Sequence, residues 1–367
     1  MPKNSSLNGN ATEESIEIPD VNVPFGLTVE LIIFIILSEN VLIFLTVHQY
    51  KKIKVIDLLI LSLATSDFAN ALLPLQMLNI KAHFIISPWS RGLCGTFVWS
   101  TYALRFASLS TVSLMSIEKA VLLFQPLRYY TQMTLSLTRK LILGAWVSSA
   151  LIATPAVAFH FKNSQTEKKD VNCRYQPYQF GLEFGVAVET IGMLHFFIVL
   201  GSYLAMVLSS KGFRQRQKRM LSSAHGGRKE NKKGRTETRG MLQSKQLCRV
   251  MGYVVLLYYV TWLPFLIYNL YGLVSKSTAY NRKMGAIVGM SSLIAPVLNP
   301  VLYVRMLSRY RKGFLILFGR RTDLGSEDAM RCSKSTQTIG GRPRTLTSVT
   351  FCGKGEVKKQ HDMQSIH

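Results

Sequence analysis

Charged residues are scarce in this sequence, and acidic ones are the scarcest. Only 17% of the 367 residues are charged, with 20 Asp and Glu against 44 Lys and Arg. A soluble chain of this length usually divides into domains whose surfaces carry charge throughout. Here the charge is concentrated in short segments between long uncharged stretches, which argues against a soluble multidomain protein. The basic residues do not lie on a foldable polar domain, which argues against nucleic-acid binding.

The uncharged stretches are apolar and long enough to cross the roughly 30 Å hydrocarbon core of a bilayer. Seven runs have this character: 25–48, 55–80, 95–124, 140–161, 179–209, 247–273 and 284–306. In lipid, the backbone of each run must satisfy its own hydrogen bonds, so each is expected to be a helix. The sequence therefore predicts an all-α fold, a bundle of seven transmembrane helices that we call spans one to seven.

Basic residues indicate which side of the membrane each loop faces. The segment 211–249 between spans five and six has thirteen Lys or Arg against two Glu, and the loop after span one, HQYKKIKVID, is also basic. The stretch before span one has one Lys and four acidic residues. Because cytoplasmic loops carry an excess of Lys and Arg, we expect the N-terminus outside and the C-terminus inside.

The polar segments define the domain organisation. We expect an extracellular tail at 1–24, a membrane domain at 25–320 and a cytoplasmic tail at 321–367. The two tails and the loop 211–246 have few apolar residues and are predicted to be disordered. The first tail lacks the apolar core of a signal peptide, so span one is expected to direct membrane insertion. Its sequons predict glycosylation at Asn4 and Asn10.

Two of the five cysteines fall on the predicted outer side. Cys94 lies at the outer end of span three, and Cys173 lies in the loop between spans four and five. An oxidising environment permits a disulfide there, which would tie this loop over the mouth of the bundle. The alternative is a pair of free thiols.

Motifs along the spans strengthen one interpretation. In chain order they are Asn40 in SENVLIFL, Asp67 in SLATSDFANALLP, Cys94, Glu118-Lys119-Ala120, Pro126-Leu127, Trp146, Pro155, Tyr203, Thr261-Trp262-Leu263-Pro264 and Asn299-Pro300-Val301-Leu302-Tyr303. With this order and spacing, the chain resembles the rhodopsin-like (class A) G-protein-coupled receptor family over residues 25–320.

The resemblance implies a function as well as a fold. It implies a multi-pass plasma-membrane receptor with a short amphipathic helix at Ser308 to Phe318, after span seven. The expected partners are an extracellular ligand, a heterotrimeric G protein, arrestin and the lipid bilayer, with no nucleic acid. Neither enzymatic activity nor a cofactor is expected.

Asp67 is the mid-membrane carboxylate of span two. Such a group is costly in lipid and by default marks a functional site. The resemblance implies a polar network with Asn299, supported by the hydroxyl of Ser108, and a sodium ion as a further candidate. Ala295 and Pro296 stand where polar partners are usual, so the alternative is a protonated Asp67 that only packs against Asn299.

The resemblance implies a set of activation-switch residues. They are Asp67, Ser108, Glu118 and Lys119 on spans two and three, and Tyr203, Trp262, Pro264, Asn299, Pro300 and Tyr303 on spans five to seven. Each proline removes a backbone hydrogen bond and kinks its helix, which suits an inner half that pivots. Trp262 lies near the kink of span six and would sense ligand through packing; alternatively, it only fills the core.

Four positions depart from the family pattern. Lys119 and Ala120 replace the usual Arg and Tyr after Glu118, and Lys lacks the planar fork of Arg. His195 stands where span five usually has Pro, and Glu39 adds an intramembrane carboxylate before Asn40. We therefore expect altered basal activity or coupling, with a non-signalling or atypically coupling receptor-like protein as the alternative.

The ligand-binding candidates are Thr101, Arg105, Glu189 and Trp262. Thr101 stands where amine receptors carry an Asp, and Leu293 stands where opsins carry a Lys, so neither ligand class is favoured. An Arg at membrane depth needs an anionic partner. Arg105 either pairs internally with Glu189 or Glu183, or binds the carboxylate or phosphate of a small acidic ligand.

Functions of other classes are less well supported. A transporter usually shows internal repeats or ionisable residues along a pathway, and no repeat is visible. A membrane enzyme would need a cluster of His, Asp or Glu at ligand or triad spacing, and the middle of the spans has none. A metal other than sodium at Asp67 is not expected.

Overall fold

The computed structural model describes residues 23–50, 52–84, 89–125, 129, 131–163, 173, 177–223, 231–275 and 282–318. Every regular element among them is helical: Val23–His48, Val55–Asn70, Ala71–Leu75, Gln76–His83, Arg91–Phe124, Leu135–Asn163, Pro177–Phe180, Leu182–Ser223, Asn231–Ser275, Arg282–Met306 and Ser308–Leu317. Seven of the helical segments are long and apolar enough to cross a membrane. The predicted all-α bundle is therefore confirmed, as is the short helix after span seven, Ser308–Leu317, which we call the juxtamembrane helix.

Span two is continuous but not regular, because Pro74 lies inside a π-helical turn at Ala71–Leu75. The backbone N–H of Gln76 reaches back to the carbonyl of Ala71, five residues earlier. The proline cannot donate a hydrogen bond, and the wider turn accommodates its ring. This extra residue sets which face of the outer segment, Gln76–His83, is turned towards span one.

Span three is the centre of the bundle. In its apolar stretch, 61% of the residues are buried, against 17% in spans four and five. It packs against spans two, four and five, so its side chains reach both the outer cavity and the polar interior described below.

The inner ends of spans five and six extend beyond the predicted membrane segments. Helix covers 211–223 and 231–246, within the loop 211–246 that composition predicts to be disordered. Lys, Arg and Gln have good helix propensity, and a helix already formed in the membrane can be extended without a new nucleation step. Residues 1–22, the tail 321–367 and the sequons at Asn4 and Asn10 lie outside the described residues.

Candidate ligand cavity and signalling core

A disulfide joins Cys94, at the outer end of span three, to Cys173 of the following loop. The two Cα atoms are 5.6 Å apart, and Cys94 is buried. The predicted bridge is confirmed. It fixes the loop to the end of the bundle that is predicted to be extracellular.

A narrow cavity of about 10 Å³ lies below this end, between spans three, five and six. Its walls are Tyr102, Arg105, Phe106, Val188, Gly192, Trp262, Phe265 and Leu266. This volume is about the space of one water molecule, so a ligand can enter only if the walls move apart. Two of the four predicted ligand-binding residues, Arg105 and Trp262, line this cavity.

The other two candidates do not line the cavity. Thr101 is buried, and its hydroxyl donates to the carbonyl of Phe97 at 2.7 Å. Glu189 is also buried, next to the lining residue Val188, and its Oε2 atom has no hydrogen-bond partner among the described residues. The spacing of residues along a span predicts depth in the membrane, but it does not predict whether Thr101 and Glu189 face the cavity.

Arg105 lies against an aromatic ring. Its Cζ atom is 5.3 Å from the centroid of Phe265, within the range of a cation–π contact. The ion pairs described in the structure are Lys119–Glu118 and Arg309–Asp57, and neither joins Arg105 to Glu183 or Glu189.

Two glycines bring spans five and six close together beside the cavity. A Cβ atom on Gly192 would lie 2.7 Å from Cδ2 of Leu266, and one on Gly185 would lie 2.5 Å from Cδ2 of Leu273. The seven-residue spacing puts both glycines on one face of span five. Neither glycine belongs to a family motif, but their seven-residue spacing is visible in the sequence.

Asp67 is at the centre of a buried polar network. Asn299 Nδ2 donates to its Oδ2 at 3.2 Å, and Ser108 Oγ donates to its Oδ1 at 3.5 Å. Asp67 and Asn299 are both buried. The structure thus brings the three residues expected at this point together across spans two, three and seven.

A second network, which the sequence did not reveal, links spans two, three and four. The indole of Trp146 donates to Ser62 Oγ at 3.0 Å, and the hydroxyls of Ser62 and Thr111 are 3.0 Å apart. Trp146 is a motif residue, so only its partners were unforeseen.

Aromatic contacts connect the cavity to the interior of span six. The rings of Trp262 and Phe265 meet edge to face with centroids 5.8 Å apart, and the Tyr258 ring lies 6.5 Å from Trp262. Pro264 lies inside this helix, and Pro300 lies inside the helix of span seven. Any displacement of Trp262 by a ligand would therefore act close to a proline in the same helix.

At the inner end of span three, Lys119 Nζ lies 2.8 Å from Glu118 Oε2. The hydroxyl of Tyr129 donates to the other carboxylate oxygen, and Glu118 is 1% exposed. The pair predicted from the sequence is thus present, and Tyr129 supports it from the following loop.

Two further switch candidates are placed near the same inner end. Tyr203 packs against Gly252 of span six, where an added Cβ atom would be 3.1 Å from the tyrosine oxygen. Tyr303 is buried, and its hydroxyl has no hydrogen-bond partner among the described residues.

His195 connects spans five and three. Its Nδ1 lies 2.9 Å from the carbonyl of Ile191, and its Nε2 lies 3.2 Å from Ser110 Oγ. Because a carbonyl can only accept, the neutral ring carries its proton on Nδ1, and Nε2 accepts from the serine hydroxyl. The residue that replaces the usual proline therefore forms an interhelical hydrogen bond that a proline cannot make.

The juxtamembrane helix is anchored by Asp57, a residue that no sequence motif marks. Asp57 is fully buried and contacts Arg309 Nη2 at 3.2 Å and the Tyr310 hydroxyl at 3.3 Å. Arg309 also lies 4.0 Å from the centroid of Tyr50 and donates to the carbonyl of Lys52. These contacts join the helix to the inner ends of spans one and two.

Comparison with known proteins agrees with this architecture. The family model described as "7 transmembrane receptor (rhodopsin family)" matches residues 39–303. The chain is 23% identical to the fMet-Leu-Phe receptor of Gorilla gorilla gorilla over 267 residues, which cover 69% of this chain and 71% of the relative. It is 25% identical to growth hormone secretagogue receptor type 1 of Rattus norvegicus over 299 residues, 77% of each chain, with the same values for the Mus musculus receptor. The chain therefore belongs to the rhodopsin family of seven-transmembrane receptors, which are multi-pass proteins of the plasma membrane.

Proposed function

We propose that this receptor binds a small acidic ligand from outside the cell and activates a heterotrimeric G protein through rearrangement of spans five to seven. Membership of the family supports a ligand-binding signalling receptor, not an enzyme. The observation that carries the ligand class is the cavity, which both Arg105 and Trp262 line.

The chemistry of the cavity favours a small acid with an apolar body. Of the eight described residues that line it, Arg105 alone is charged, and the others are aromatic, aliphatic or glycine. A carboxylate or phosphate can bind a guanidinium with two parallel hydrogen bonds. The relatives' names add that the gorilla receptor recognises fMet-Leu-Phe, a short apolar peptide.

Trp262 and Pro264 connect ligand binding to the cytoplasmic side. A group that enters beside Arg105 meets Trp262 directly, and Trp262 lies two residues from Pro264. Rearrangement there would move the inner half of span six relative to Tyr203 of span five, which packs on Gly252. Arrestin is a further expected partner at this inner face, as in the family pattern.

The test is G-protein activation by the full-length chain in response to butyrate and phenylacetate, with butanol and 2-phenylethanol as neutral controls. We expect the acids alone to activate, and Arg105→Ala to abolish the response while surface expression is unchanged. Arg105→Lys should keep part of the response, because it keeps the charge but loses the bidentate geometry.

Two outcomes would contradict the proposal. Failure of Arg105→Ala to reach the surface would assign Arg105 to internal structure. Absence of both basal and acid-stimulated activation in a well-expressed chain would favour the non-signalling alternative. Ion flux through purified receptor would instead revive the remote alternative of a membrane transporter.

A further inference from the structure

A second polar cluster lies at the predicted outer end of the bundle, between spans one and two. Gln76, Asn79 and His83 are spaced by three and four residues, so they share one face of the helix Gln76–His83. That face meets Gly26 and Glu30 of span one. A Cβ atom on Gly26 would lie 2.5 Å from Cβ of His83, so the close approach requires glycine at this position.

Glu30 is the acidic centre of this cluster. Gln76 Nε2 lies 3.0 Å from each of its carboxylate oxygens, and Asn79 Nδ2 lies 2.9 Å from Oε2. Both donors are neutral amides, so they orient the carboxylate without cancelling its charge. Among the described residues, no Lys, Arg or His forms an ion pair with Glu30.

The depth of Glu30 makes this charge costly. It lies seven residues into span one, which begins at Val23, and so is roughly 10 Å below the end of the helix. A carboxylate at membrane depth without a cationic partner is a functional-site candidate by default.

Asn79 supplies an independent observation. It is 3% exposed, its Nδ2 donates both to Glu30 and to the carbonyl of Gly26 at 3.1 Å, and its Oδ1 has no partner among the described residues. These two donated bonds fix which end of the amide is nitrogen. The buried Oδ1 of Asn79, which has no donor, therefore lies near the Glu30 carboxylate, whose charge has no cationic partner among the described residues. A single cationic group with several N–H donors can satisfy both.

We infer that Glu30 and Asn79 bind the protonated amine of an extracellular ligand, at a site separate from the Arg105 cavity; this rests on the proposed receptor function. A primary ammonium has three donors, which match the Glu30 carboxylate and Asn79 Oδ1. The ring pair Phe25–His83, with centroids 5.2 Å apart, adds an aromatic wall suited to an aryl-alkyl amine. Glu30 is half-buried, so part of the site is exposed at the surface of the bundle.

The experiment measures the melting temperature of the purified full-length receptor in lipid nanodiscs against increasing phenethylamine at pH 7. The neutral isostere 2-phenylethanol and sodium chloride at matched ionic strength are the controls. We expect stabilisation by the amine alone, and an apparent Kd about tenfold weaker in Glu30→Gln, because loss of one charged hydrogen bond costs about that factor. Glu183→Gln, which removes an exposed acid near the outer end of span five, should leave the Kd unchanged.

Arg105→Ala separates this inference from the proposed function, since it should abolish the acid response and leave amine binding intact. Equal stabilisation by the amine and its neutral isostere, or by sodium, would overturn the inference. An unchanged Kd in Glu30→Gln would also overturn it. The comparison of amine with alcohol on the unmodified receptor decides the question even if a variant fails to fold.

Discussion

Arg309 Nη2 lies 3.2 Å from Asp57 Oδ2, and this ion pair holds the juxtamembrane helix against the inner end of span two. The same carboxylate oxygen accepts the backbone N–H of Lys54 at 2.8 Å, while the other accepts the Tyr310 hydroxyl. The first turn of span two, the preceding loop and the juxtamembrane helix therefore converge on one buried carboxylate.

We expect Arg309→Ala to lower the free energy of unfolding by about 3 kcal/mol, because it leaves the buried carboxylate of Asp57 without its cation. Asp57→Asn should also destabilise the receptor, and the double variant should lose less free energy of unfolding than the sum of the two single losses. Thermal melting in nanodiscs measures all three. Arg311→Ala, which removes an exposed arginine from the same helix, is the matched control and should melt as the unmodified receptor does. Additive effects of the two single variants would contradict the direct interaction.

The same cluster predicts a decline in stability at alkaline pH. Burial raises the pKa of Tyr50, and burial together with the charge of Asp57 raises the pKa of Tyr310. A phenol with a raised pKa binds its proton more tightly in the folded state, so the stabilisation is complete below the ordinary pKa of about 10 and is lost as the pH rises above it. The melting temperature should therefore fall above pH 10.

Tyr50→Phe and Tyr310→Phe should each flatten this decline between pH 9 and pH 11, since they remove the ionisable group. Tyr271→Phe removes an exposed tyrosine and should leave the slope unchanged. A slope that is the same in all three variants would show that other groups cause the loss.

The contrast between Asp57 and Asp67 shows what sequence can and cannot reveal. Asp67 lies in the middle of an apolar run, where its cost in lipid marks it at once. Asp57 lies in the first turn of span two, where an acid is ordinary, and Arg309 lies among the basic residues that indicate the cytoplasmic side. Asp57 and Arg309 are 252 residues apart, so their ion pair depends on the tertiary fold and cannot be predicted from a local sequence pattern.

The same distinction holds in the outer half. Hydropathy located the seven spans, and the cysteine positions predicted the bridge, because both signals are local or follow from topology. The separation of Arg105, which lines the cavity, from Thr101, which does not, depends on helix rotation. The pairing of Glu30 with Asn79 depends further on the π turn at Pro74, which rotates the outer part of span two.

At the inner end of span three, we expect Lys119→Arg to lower basal G-protein activation about fivefold. Arg can bind Glu118 with two hydrogen bonds, which would strengthen the pair by about 1 kcal/mol. The conformation in which residues 118 and 119 are paired would then be more populated, and we expect this conformation not to activate the G protein. Tyr129→Phe should have the opposite effect, because it removes the hydroxyl that supports Glu118. The measurement is nucleotide exchange at equal surface expression. A rise in activation with Lys119→Arg would show that the pair belongs to the coupling conformation.

Gly192→Ala should weaken the response to acidic agonists about tenfold at unchanged surface expression. The added methyl would lie 2.7 Å from Leu266, so spans five and six must separate or the leucine must move into the cavity. Gly201→Ala on the same helix meets nothing within 4 Å and should gain up to about 1 kcal/mol of helix stability without altering potency. Dose–response curves and melting temperatures together distinguish the two. Identical behaviour of both variants would exclude the glycine contact as a determinant of the cavity.

The hydrogen bond between His195 and Ser110 predicts a specific coupling between spans five and three. Ser110→Ala should destabilise the receptor by about 1 kcal/mol, because Nε2 of the half-buried His195 loses its donor. His195→Phe should cost less, since the ring volume is largely kept, and Ser110→Ala should have little further effect in that background.

Ser113 of the same span is the control: its buried hydroxyl has no partner among the described residues, so Ser113→Ala should be neutral or slightly stabilising. Melting temperatures of these variants measure the coupling. If Ser110→Ala and Ser113→Ala changed the melting temperature equally, the hydrogen bond between His195 and Ser110 would not stabilise the receptor. His195 would then only fill the space at the position where the family usually has a proline.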